Sequence, residues 1–389
     1  MIERPLVDLL GTLVAIPSVN PRHTDDPSIS GERQMAEFVG NWLARRGFAI
    51  AMWGDDPARP NLVATLGPET ARRALLLESH FDTVGVAGMT RDPFRAVVED
   101  GRLFARGACD TKGPLAAALL ALEAALPDIR RSRLRVTVVG AMGEESGNEG
   151  AEWLVTQPVT AGQAIILEPT DLAIVHAHKG ALWFDVEVRG RAGHGSDPAA
   201  GVNAVTGMCR LVEELLRQGG EDAAAFRDPL LGAPTVSIGS IRGGTAVNIV
   251  PDTCVISVDR RTVPGEEPEE ILARVRTALE RLRERGAILG FEIRVSKMGT
   301  AFHTAPDSGL VRGLAAGVEA GGRMPVVEGA AWYSDAGAFS RVCREVVVFG
   351  PGSIRQAHTA DEHIGLDSLQ MGCRILGHFL RRVAAETGS

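Results

Sequence analysis

The sequence of 389 residues has few cysteines and no long apolar run. Its five cysteines are scattered and form no C-x-x-C pair, which indicates reduced thiols in a cytoplasm. No segment approaches the length of a membrane span. The first 21 residues carry acids among their apolar positions and lack the basic start of a signal peptide, so we expect an amphipathic helix there.

The chain also lacks an excess of positive charge. Its 41 lysines and arginines are outnumbered by 49 aspartates and glutamates, which gives a net charge of −8 and a pI near 5.7. Nucleic acids and anionic membranes both favour a basic surface, so neither is expected as a main partner. Apolar residues at 45% and charged residues at 23% are typical of a soluble globular protein, and the length suits two domains.

Helical and strand patterns alternate from the start of the chain to about residue 176. Strands are predicted at 61–66, 74–77, 134–140 and 164–167, and a strong helix at 113–126. Several of these strands are continuous apolar runs of the kind buried on both faces of a sheet. The order predicts an α/β fold with a mostly parallel sheet covered by helices.

The periodicity changes after residue 177. Strands are predicted at 181–188, 234–241, 253–259 and 290–295, and helices at 202–217 and 268–285. Strand, helix, strand, strand, helix, strand is the order of a ferredoxin-like α+β domain. A helix at 307–321 and a strand at 345–349 then return the chain to the first domain. The predicted division is 1–177 and 297–389 for the α/β domain, with 178–296 as an insertion.

Acidic and histidine residues follow the strands of the α/β domain, and one more acid precedes its strongest helix. They are His80 and Asp82 after the strand at 74–77, Asp110 before the helix, Glu144 and Glu145, Glu168, and His358. Open α/β sheets bind ligands at the carboxyl edge of their strands. If the strands are neighbours, these side chains converge on one place.

Taken singly, each residue has a simpler interpretation. His80 could be a hydrogen-bonded structural residue, Asp110 a helix N-cap, and Glu168 a chance acid before a proline turn. Glu144 and Glu145 could form a solvated turn. Together, several carboxylates in one crevice would repel at a cost of several kcal/mol unless a cation neutralised them. Mixed histidine and carboxylate ligands suit zinc, with cobalt or manganese as substitutes, and one shared carboxylate would serve two ions.

Five motifs in order resemble those of the dinuclear zinc hydrolases that include acetylornithine deacetylase, succinyl-diaminopimelate desuccinylase, aminoacylase and glutamate carboxypeptidase. They are SHFDTV (79–84), ARGACDTKG (105–113), GEES (143–146), LEPT (167–170) and AHTADE (357–362). The resemblance covers nearly the whole chain. Ser79 stands where the family usually has glycine, and this departure affects no ligand.

The resemblance implies two zinc ions per subunit. His80 and Glu168 would complete one metal site, Glu145 and His358 the other, and Asp110 would bridge both ions. This assignment makes five residues metal ligands.

The resemblance also implies two catalytic roles beside the metal ligands. Asp82 would orient the ring of His80. Glu144 would be the general base, taking a proton from the attacking water and passing it to the leaving amine.

The inserted segment contains RAGHGSDPAAGVNAV (191–205), which resembles the family's dimerisation motif and implies a homodimer through this domain. His194 would reach across the dimer interface and donate a hydrogen bond to the oxyanion, or it is a structural histidine in a glycine-rich turn. Asn248 would position substrate or shape its turn. Arg261, chosen over Arg260 by the Asp-x-Arg pattern, would clamp the substrate α-carboxylate, or it is a surface arginine.

Substrate preference is indicated by Glu168, because deacylases and carboxypeptidases of the family resemble each other in having Glu there. Segments 90–94, 168–180, 193–205 and 350–362 look more like acetylornithine deacetylase, whereas AWYSDAGAF (331–339) resembles other branches. We therefore expect a cytoplasmic enzyme of amino-acid metabolism that hydrolyses an N-acyl amino acid, with N-acetylornithine first and arginine biosynthesis as its setting. The alternatives are a desuccinylase, a glutamate-releasing carboxypeptidase, a non-catalytic scaffold that kept the fold, and a serine hydrolase.

Overall fold

The computed structural model describes residues 4–71, 73–159 and 161–387. The chain divides into two compact units. The first comprises Met1–His176, His303–Gly329 and Ser334–Ser389, and the second comprises Ala177–Phe302 and Ala330–Tyr333. The second unit therefore extends further along the chain than the segment 178–296 of the sequence-based division.

The elements below are numbered in chain order. The helices are α1 (Arg4–Val14), α2 (Glu32–Ala44), α3 (Lys112–Arg131), α4 (Glu144–Gly147), α5 (Glu149–Leu154), α6 (Ala204–Ala225), α7 (Pro268–Glu284), α8 (Gly309–Ala320), α9 (Ala336–Phe339) and α10 (Leu366–Glu386). Short 3-10 helices lie at Pro21–His23, Pro27–Ile29 and Pro198–Ala200. Among the described residues, no helix has both the length and the apolar character needed to cross a bilayer.

The strands are β1 (Ala49–Trp53), β2 (Asn61–Leu66), β3 (Arg73–His80), β4 (Val97–Glu99), β5 (Arg102–Phe104), β6 (Leu134–Ala141), β7 (Gln163–Ile166), β8 (Ile174–His178), β9 (Gly180–Arg189), β10 (Thr235–Gly243), β11 (Thr253–Thr262), β12 (Gly290–Gly299), β13 (Phe302–His303), β14 (Val327–Ala330), β15 (Glu345–Val348) and β16 (His363–Gly365).

The large sheet has the order β1-β2-β6-β3-β7-β15-β8-β13, with β14 beside β8. Its four central strands, β6, β3, β7 and β15, are parallel, and β1 and β2 extend one side in antiparallel fashion. In the register of β3 on β6, His80 pairs with Ala141, so these two strands end together. The prediction of an α/β fold with a mostly parallel sheet is confirmed.

The core of the first unit forms where apolar strands meet apolar helix faces. Residues 75–80 of β3 and all of β7 are buried, as expected for strands covered on both faces. Helix α3 is rich in alanine and leucine, and it contacts α10 and α1. It continues beyond the predicted end at residue 126, with Pro127 inside it, to Arg131.

The second unit has the predicted order β9, α6, β10, β11, α7, β12. Its antiparallel sheet is ordered β10-β11-β9-β12. Apolar residues of β9 and β11 alternate with more exposed ones and pack with α6 and α7 in one core. Strand β12 continues past its predicted end at Val295, because a register shift between Val295 and Lys297 lets pairing with β9 resume as far as Gly299.

Candidate active site

The predicted site residues of the first unit lie at the carboxyl edge of its parallel strands. His80 is the last residue of β3, and Glu168 lies two residues after β7. The chain leaves β6 through Gly143, whose φ of +72° favours glycine, and enters α4 at Glu144. Asp110 precedes α3, but the N-cap is Thr111, so the simpler interpretation of Asp110 as a cap is wrong.

Three buried side chains form the first cluster. The Nε2 atom of His80 lies 3.1 Å from Oδ1 of Asp110 and 3.7 Å from Oε1 of Glu168. Each of these residues is 6% exposed or less. Their ligand atoms are close enough together to hold one metal ion.

Asp110 also belongs to a second cluster through its other oxygen. The Nε2 atom of His358 lies 2.9 Å from Oε2 of Glu145 and 3.3 Å from Oδ2 of Asp110. This second group could hold a metal ion as well. One carboxylate thus faces both clusters with different oxygens, which is the arrangement required of a bridging ligand.

Burial dominates the electrostatics of the carboxylates. It raises the pKa of Glu145 to about 8, with the charge of Asp110 as the next cause. Burial also holds the pKa of Glu168 well above its usual range. The hydrogen bonds of His358 to Asp110 and Glu145 raise its pKa to about 10. Without cations, the clusters therefore retain protons that the same groups would lose in water.

The donor set fits divalent cations. The Nδ1 atom of His80 lies 2.9 Å from the carbonyl oxygen of Asp82, so Nδ1 is a donor, and Nε2 faces the carboxylates of Asp110 and Glu168. Two facing acceptors repel unless a proton or a metal ion lies between them. Oε1 of Glu145 is buried without a hydrogen-bond partner among the described residues. An ion would satisfy both features.

Asp82 makes contacts that the sequence did not predict. The carboxylate accepts hydrogen bonds from the backbone N–H groups of Glu144 and Glu145, each at 3.1 Å, and from Nδ2 of Asn20 at 2.7 Å. Its Oδ1 is 3.5 Å from Nδ1 of His80, so the main-chain carbonyl is the nearer acceptor for the ring. Asp82 thus fixes the turn that carries Glu144 as well as lying beside His80.

Glu144 is held by a chain of buried polar residues. Its Oε1 accepts a hydrogen bond of 2.9 Å from Nδ2 of Asn148, which also donates to Oδ1 of Asp335 at 2.7 Å. Burial raises the pKa of Asp335 to about 7, and the charge of Glu144 adds to this effect. These contacts restrict the Glu144 side chain, and no hydrogen bond from a described residue reaches its second oxygen.

Glu362 orders the loop that presents Asp110. The buried carboxylate accepts hydrogen bonds from the backbone N–H groups of Gly107, Cys109 and Asp110 at 2.9–3.1 Å. It also pairs with Nη1 of Arg106 at 2.6 Å. Because Glu362 lies four residues after His358, it joins the loops of two cluster members.

The sequence interpretation did not identify Asn20, Asn148, Asp335 or Glu362. Glu362 and Asp335 lie within the quoted segments AHTADE and AWYSDAGAF, so those motifs contained a signal that could have found them. Asn20 and Asn148 have no such signal. Their roles depend on distant contacts, such as that between Asn20 and Asp82.

In the second unit, His194 is exposed near the turn between β10 and β11. Its Nδ1 accepts a hydrogen bond of 3.2 Å from the backbone N–H of Ser196, which fixes the proton of the neutral ring on Nε2. His194 pairs in an isolated antiparallel bridge with Ile249, and the backbone N–H of Gly195 donates to the carbonyl of Asn248 at 2.8 Å. His194 and Asn248 therefore lie on adjacent backbone segments.

The two arginines at the end of β11 have different environments. Arg260 is buried and pairs with Asp222 at 3.0 Å and with Glu266. Arg261 lies on the face of β11 opposite to that of Arg260. It is partly exposed and pairs at 2.9 Å with Asp259, which shares its face. Of the two, only Arg261 has a guanidinium that a ligand can reach.

A centre of two histidines and three carboxylates, beside a restrained glutamate at a sheet edge, has the composition of a metal-dependent hydrolase site. Residues 76–382 match the family model described as "Peptidase family M20/M25/M40". The chain is 36% identical over 318 residues to acetylornithine deacetylase of Myxococcus xanthus, which covers 79% of this chain and 80% of that protein.

Two solved structures show the same fold. A tripeptidase from Staphylococcus aureus matches with a TM-score of 0.79 and 21% identity, covering 98% of this chain and 99% of that one. An M20 family metallo-carboxypeptidase from Sulfolobus solfataricus matches with a TM-score of 0.79 and 20% identity, covering 99% and 100%.

The chain belongs to peptidase family M20/M25/M40. It is therefore a metal-dependent enzyme that hydrolyses amide bonds, as the resemblance predicted.

Proposed function

We propose that this enzyme hydrolyses the amide bond of an N-acyl amino acid and releases the free amino acid and a carboxylate. N-acetylornithine is the first candidate substrate, because the Myxococcus xanthus relative is an acetylornithine deacetylase. The observation that carries the proposal is the pair of histidine–carboxylate clusters that share Asp110 next to Glu144. This substrate would place the enzyme in arginine biosynthesis.

Two divalent cations, zinc in the first instance, are the proposed cofactors. His80 and Glu168 would hold one ion, Glu145 and His358 the other, and Asp110 both. Such ions polarise a carbonyl group and lower the pKa of water. The buried, partly protonated carboxylates support the assignment, because cations would replace the protons that these groups otherwise retain.

Glu144 is proposed as the general base. Its carboxylate would take a proton from the attacking water and deliver it to the amide nitrogen as the C–N bond breaks. Asn148 fixes one oxygen and leaves the other for the proton. Asp82 supports this role by holding the backbone N–H of Glu144.

His194, Asn248 and Arg261 are proposed to act on the substrate. His194 carries its proton on Nε2, the form needed to donate a hydrogen bond to the oxyanion. Arg261 would bind the α-carboxylate and Asn248 would help to orient the substrate. By resemblance we also propose a cytoplasmic homodimer through the second unit, in which His194 serves the partner, and sedimentation equilibrium would test the dimer.

The first experiment measures amine release from N-acetylornithine, other N-acetyl amino acids, N-succinyl-diaminopimelate and a glutamate-capped peptide. Each compound is assayed with zinc, cobalt, manganese and a chelator. A chelator-sensitive preference for an N-acetyl amino acid supports the proposal. A preference for the succinyl compound or the peptide replaces the substrate assignment, and activity that survives complete metal removal contradicts the metal assignment.

A further inference from the structure

Four consecutive backbone N–H groups lead into the turn that carries Glu144, and a side chain from another part of the chain holds each of them. The donors are Met142, Gly143, Glu144 and Glu145, and the acceptors are, in the same order, Oδ1 of Asn61, Oε1 of Glu32 and the two oxygens of Asp82, all at 2.9–3.1 Å. Helix α4 has four residues, and the first N–H groups of a helix have no partner within it. These external acceptors therefore supply the bonds that the short helix lacks.

Glu32 is the acceptor of this set that the sequence gave no reason to expect, because it belongs to none of the five motifs. It is the first residue of α2 and is 0% exposed. Its carboxylate forms an ion pair with Arg59, whose Nη1 also lies 2.9 Å from Oε2 of Glu149. A buried ion pair is weak evidence of a role in stability, since apolar side chains of similar volume often replace one without loss. They could not replace the acceptor for the N–H of Gly143.

Gly143 is the residue of this turn whose backbone is least restrained by its own side chain. Its φ of +72° is one of many conformations that a glycine can adopt. A Cβ atom at this position would lie 2.8 Å from Nη2 of Arg59 and 3.0 Å from Oε2 of Glu149, so the close approach of the ion pairs requires a glycine. The conformation of the turn must therefore be fixed by contacts from outside it.

The contact of Glu32 with Gly143 acts one residue before the proposed base. A displacement of about 1 Å at a catalytic group can slow a reaction roughly 100-fold. Asp82 also holds this turn, but it lies beside His80 as well. Glu32 belongs to neither cluster of possible metal ligands in the described part of the chain. Its substitution can therefore test the turn without removing a ligand.

We propose that Glu32 is a positioning residue for the reaction. By accepting the hydrogen bond from Gly143, its carboxylate sets the direction in which the side chain of Glu144 leaves the turn, and Arg59 holds that carboxylate in place. The inference rests on the proposed function, because Glu144 is the general base assigned there.

Two variants of equal charge isolate the hydrogen bond. Glu32→Met and Glu32→Gln both remove the negative charge and keep a side chain of similar length, but only the amide oxygen of Glu32→Gln can accept from Gly143. Glu37→Gln, which changes an exposed carboxylate of the same helix, is the control. Each enzyme is saturated with metal and assayed on the compound of the amine-release panel that the wild type hydrolyses fastest.

Glu32→Met should lower kcat about 10- to 100-fold, with little change in KM or in the number of bound metal ions. Glu32→Gln should recover most of this loss, and Glu37→Gln should behave as the wild type. Equal kcat values for Glu32→Met and Glu32→Gln overturn the inference, whatever their melting temperatures. If Glu32→Met does not fold, Glu32→Met combined with Arg59→Met, which also removes the guanidinium left without this partner, takes its place.

A double-mutant cycle then tests whether Glu32 acts through Glu144. In the background of Glu144→Gln, the further change Glu32→Met should lower kcat by less than about 3-fold, because the group that Glu32 positions is already inactive. A further loss as large as that in the wild-type background would show a general disturbance of the site and overturn the inference.

Failure of the proposed function is recognised separately. If the wild type hydrolyses none of the compounds, or if Glu144→Gln keeps near-normal turnover, amide hydrogen exchange of the metal-loaded proteins replaces the kinetic assay. The N–H groups of residues 143–145 should exchange at least about 10-fold faster in Glu32→Met than in the wild type, and Glu32→Gln should stay close to the wild type. Equal exchange in Glu32→Met and the wild type overturns the inference.

Discussion

The proposed site residues of the two units differ in how tightly the structure holds them. His80, Asp110 and Glu168 are 2–6% exposed and contact one another. His194 and Asn248 are exposed, and within the described part of the chain the side chain of His194 hydrogen-bonds to Ser196 alone. The first set is a preformed centre, and the second set consists of side chains that await a ligand or partner.

This difference shows which assignments the physics of one subunit can support. Buried carboxylates that face one another require a cation or protons, so their arrangement itself indicates the ligand. An exposed histidine or arginine costs nothing when it is idle. Its role must come from kinetics, and the predictions below separate the two sets by what each variant changes.

The largest effect is expected from the glutamate beside the buried centre. Glu144→Gln should lower kcat by roughly 10²- to 10⁴-fold, because the amide cannot accept the proton. Two metal ions per subunit should remain bound, as measured by atomic emission spectroscopy. Glu152→Gln, in the following helix, is the control and should retain activity. Near-normal turnover by the metal-loaded Glu144→Gln enzyme would exclude the general-base role.

Among the exposed residues, His194 should matter most. His194→Ala should lower kcat by about 10²- to 10³-fold, because one oxyanion donor is lost, with little change in KM. Its melting temperature should stay close to that of the wild type, since the side chain is not part of a core. Ser196→Ala, which keeps the backbone N–H that fixes the ring tautomer, is the milder comparison. A defect confined to KM would contradict the assigned role.

Arg260 and Arg261 are neighbours in β11, but the first is buried and the second is partly exposed. Arg260→Met should lower the free energy of unfolding by about 3–5 kcal/mol, because it leaves Asp222 and Glu266 without this buried partner. Arg261→Met should instead raise KM for substrates with a free α-carboxylate while stability changes by less than about 1 kcal/mol. Chemical denaturation of both variants measures the change in stability, and steady-state kinetics measures the change in KM. Equal KM effects on carboxylate-blocked substrates would argue against Arg261 as the clamp.

The smallest expected effect is a pH dependence specific to the metal-free centre. The pKa is raised to about 8 for Glu145 and to about 10 for His358 in the folded protein, from 4.5 and 6.5. Raised values stabilise the folded state at low pH, and this stabilisation is lost as the pH rises through them. The melting temperature of the metal-free protein should therefore fall by several degrees between about pH 6 and about pH 9.

The matched measurement uses the metal-loaded enzyme over the same range. Its melting temperature should vary less, because cations take the place of the protons in the buried centre. Parallel curves for the two forms would indicate that these groups do not hold the ions.

Much of this protein could be predicted from the sequence. Apolar runs at 61–66 and 134–140 correspond to β2 and β6, and the alternating pattern after residue 177 gave the elements of the second sheet in order. These features depend on local periodicity, which survives without knowledge of distant contacts. Residue identity also indicated a cation among the clustered acids and histidines, whereas the choice of two histidines and three carboxylates as its ligands followed from the resemblance of the motifs.

Other features were decided only by the tertiary structure. One is the orientation of Asp110, which decides the oxygen that faces each histidine. Others are the contact of Asn20 with Asp82, which are far apart in the chain, and the restraint of Glu144 by Asn148 around a turn. The register shift in β12 that brings Lys297 opposite Trp183 likewise depends on strand pairing. A sequence determines which groups are present and which elements form, but packing and register decide which side chains meet.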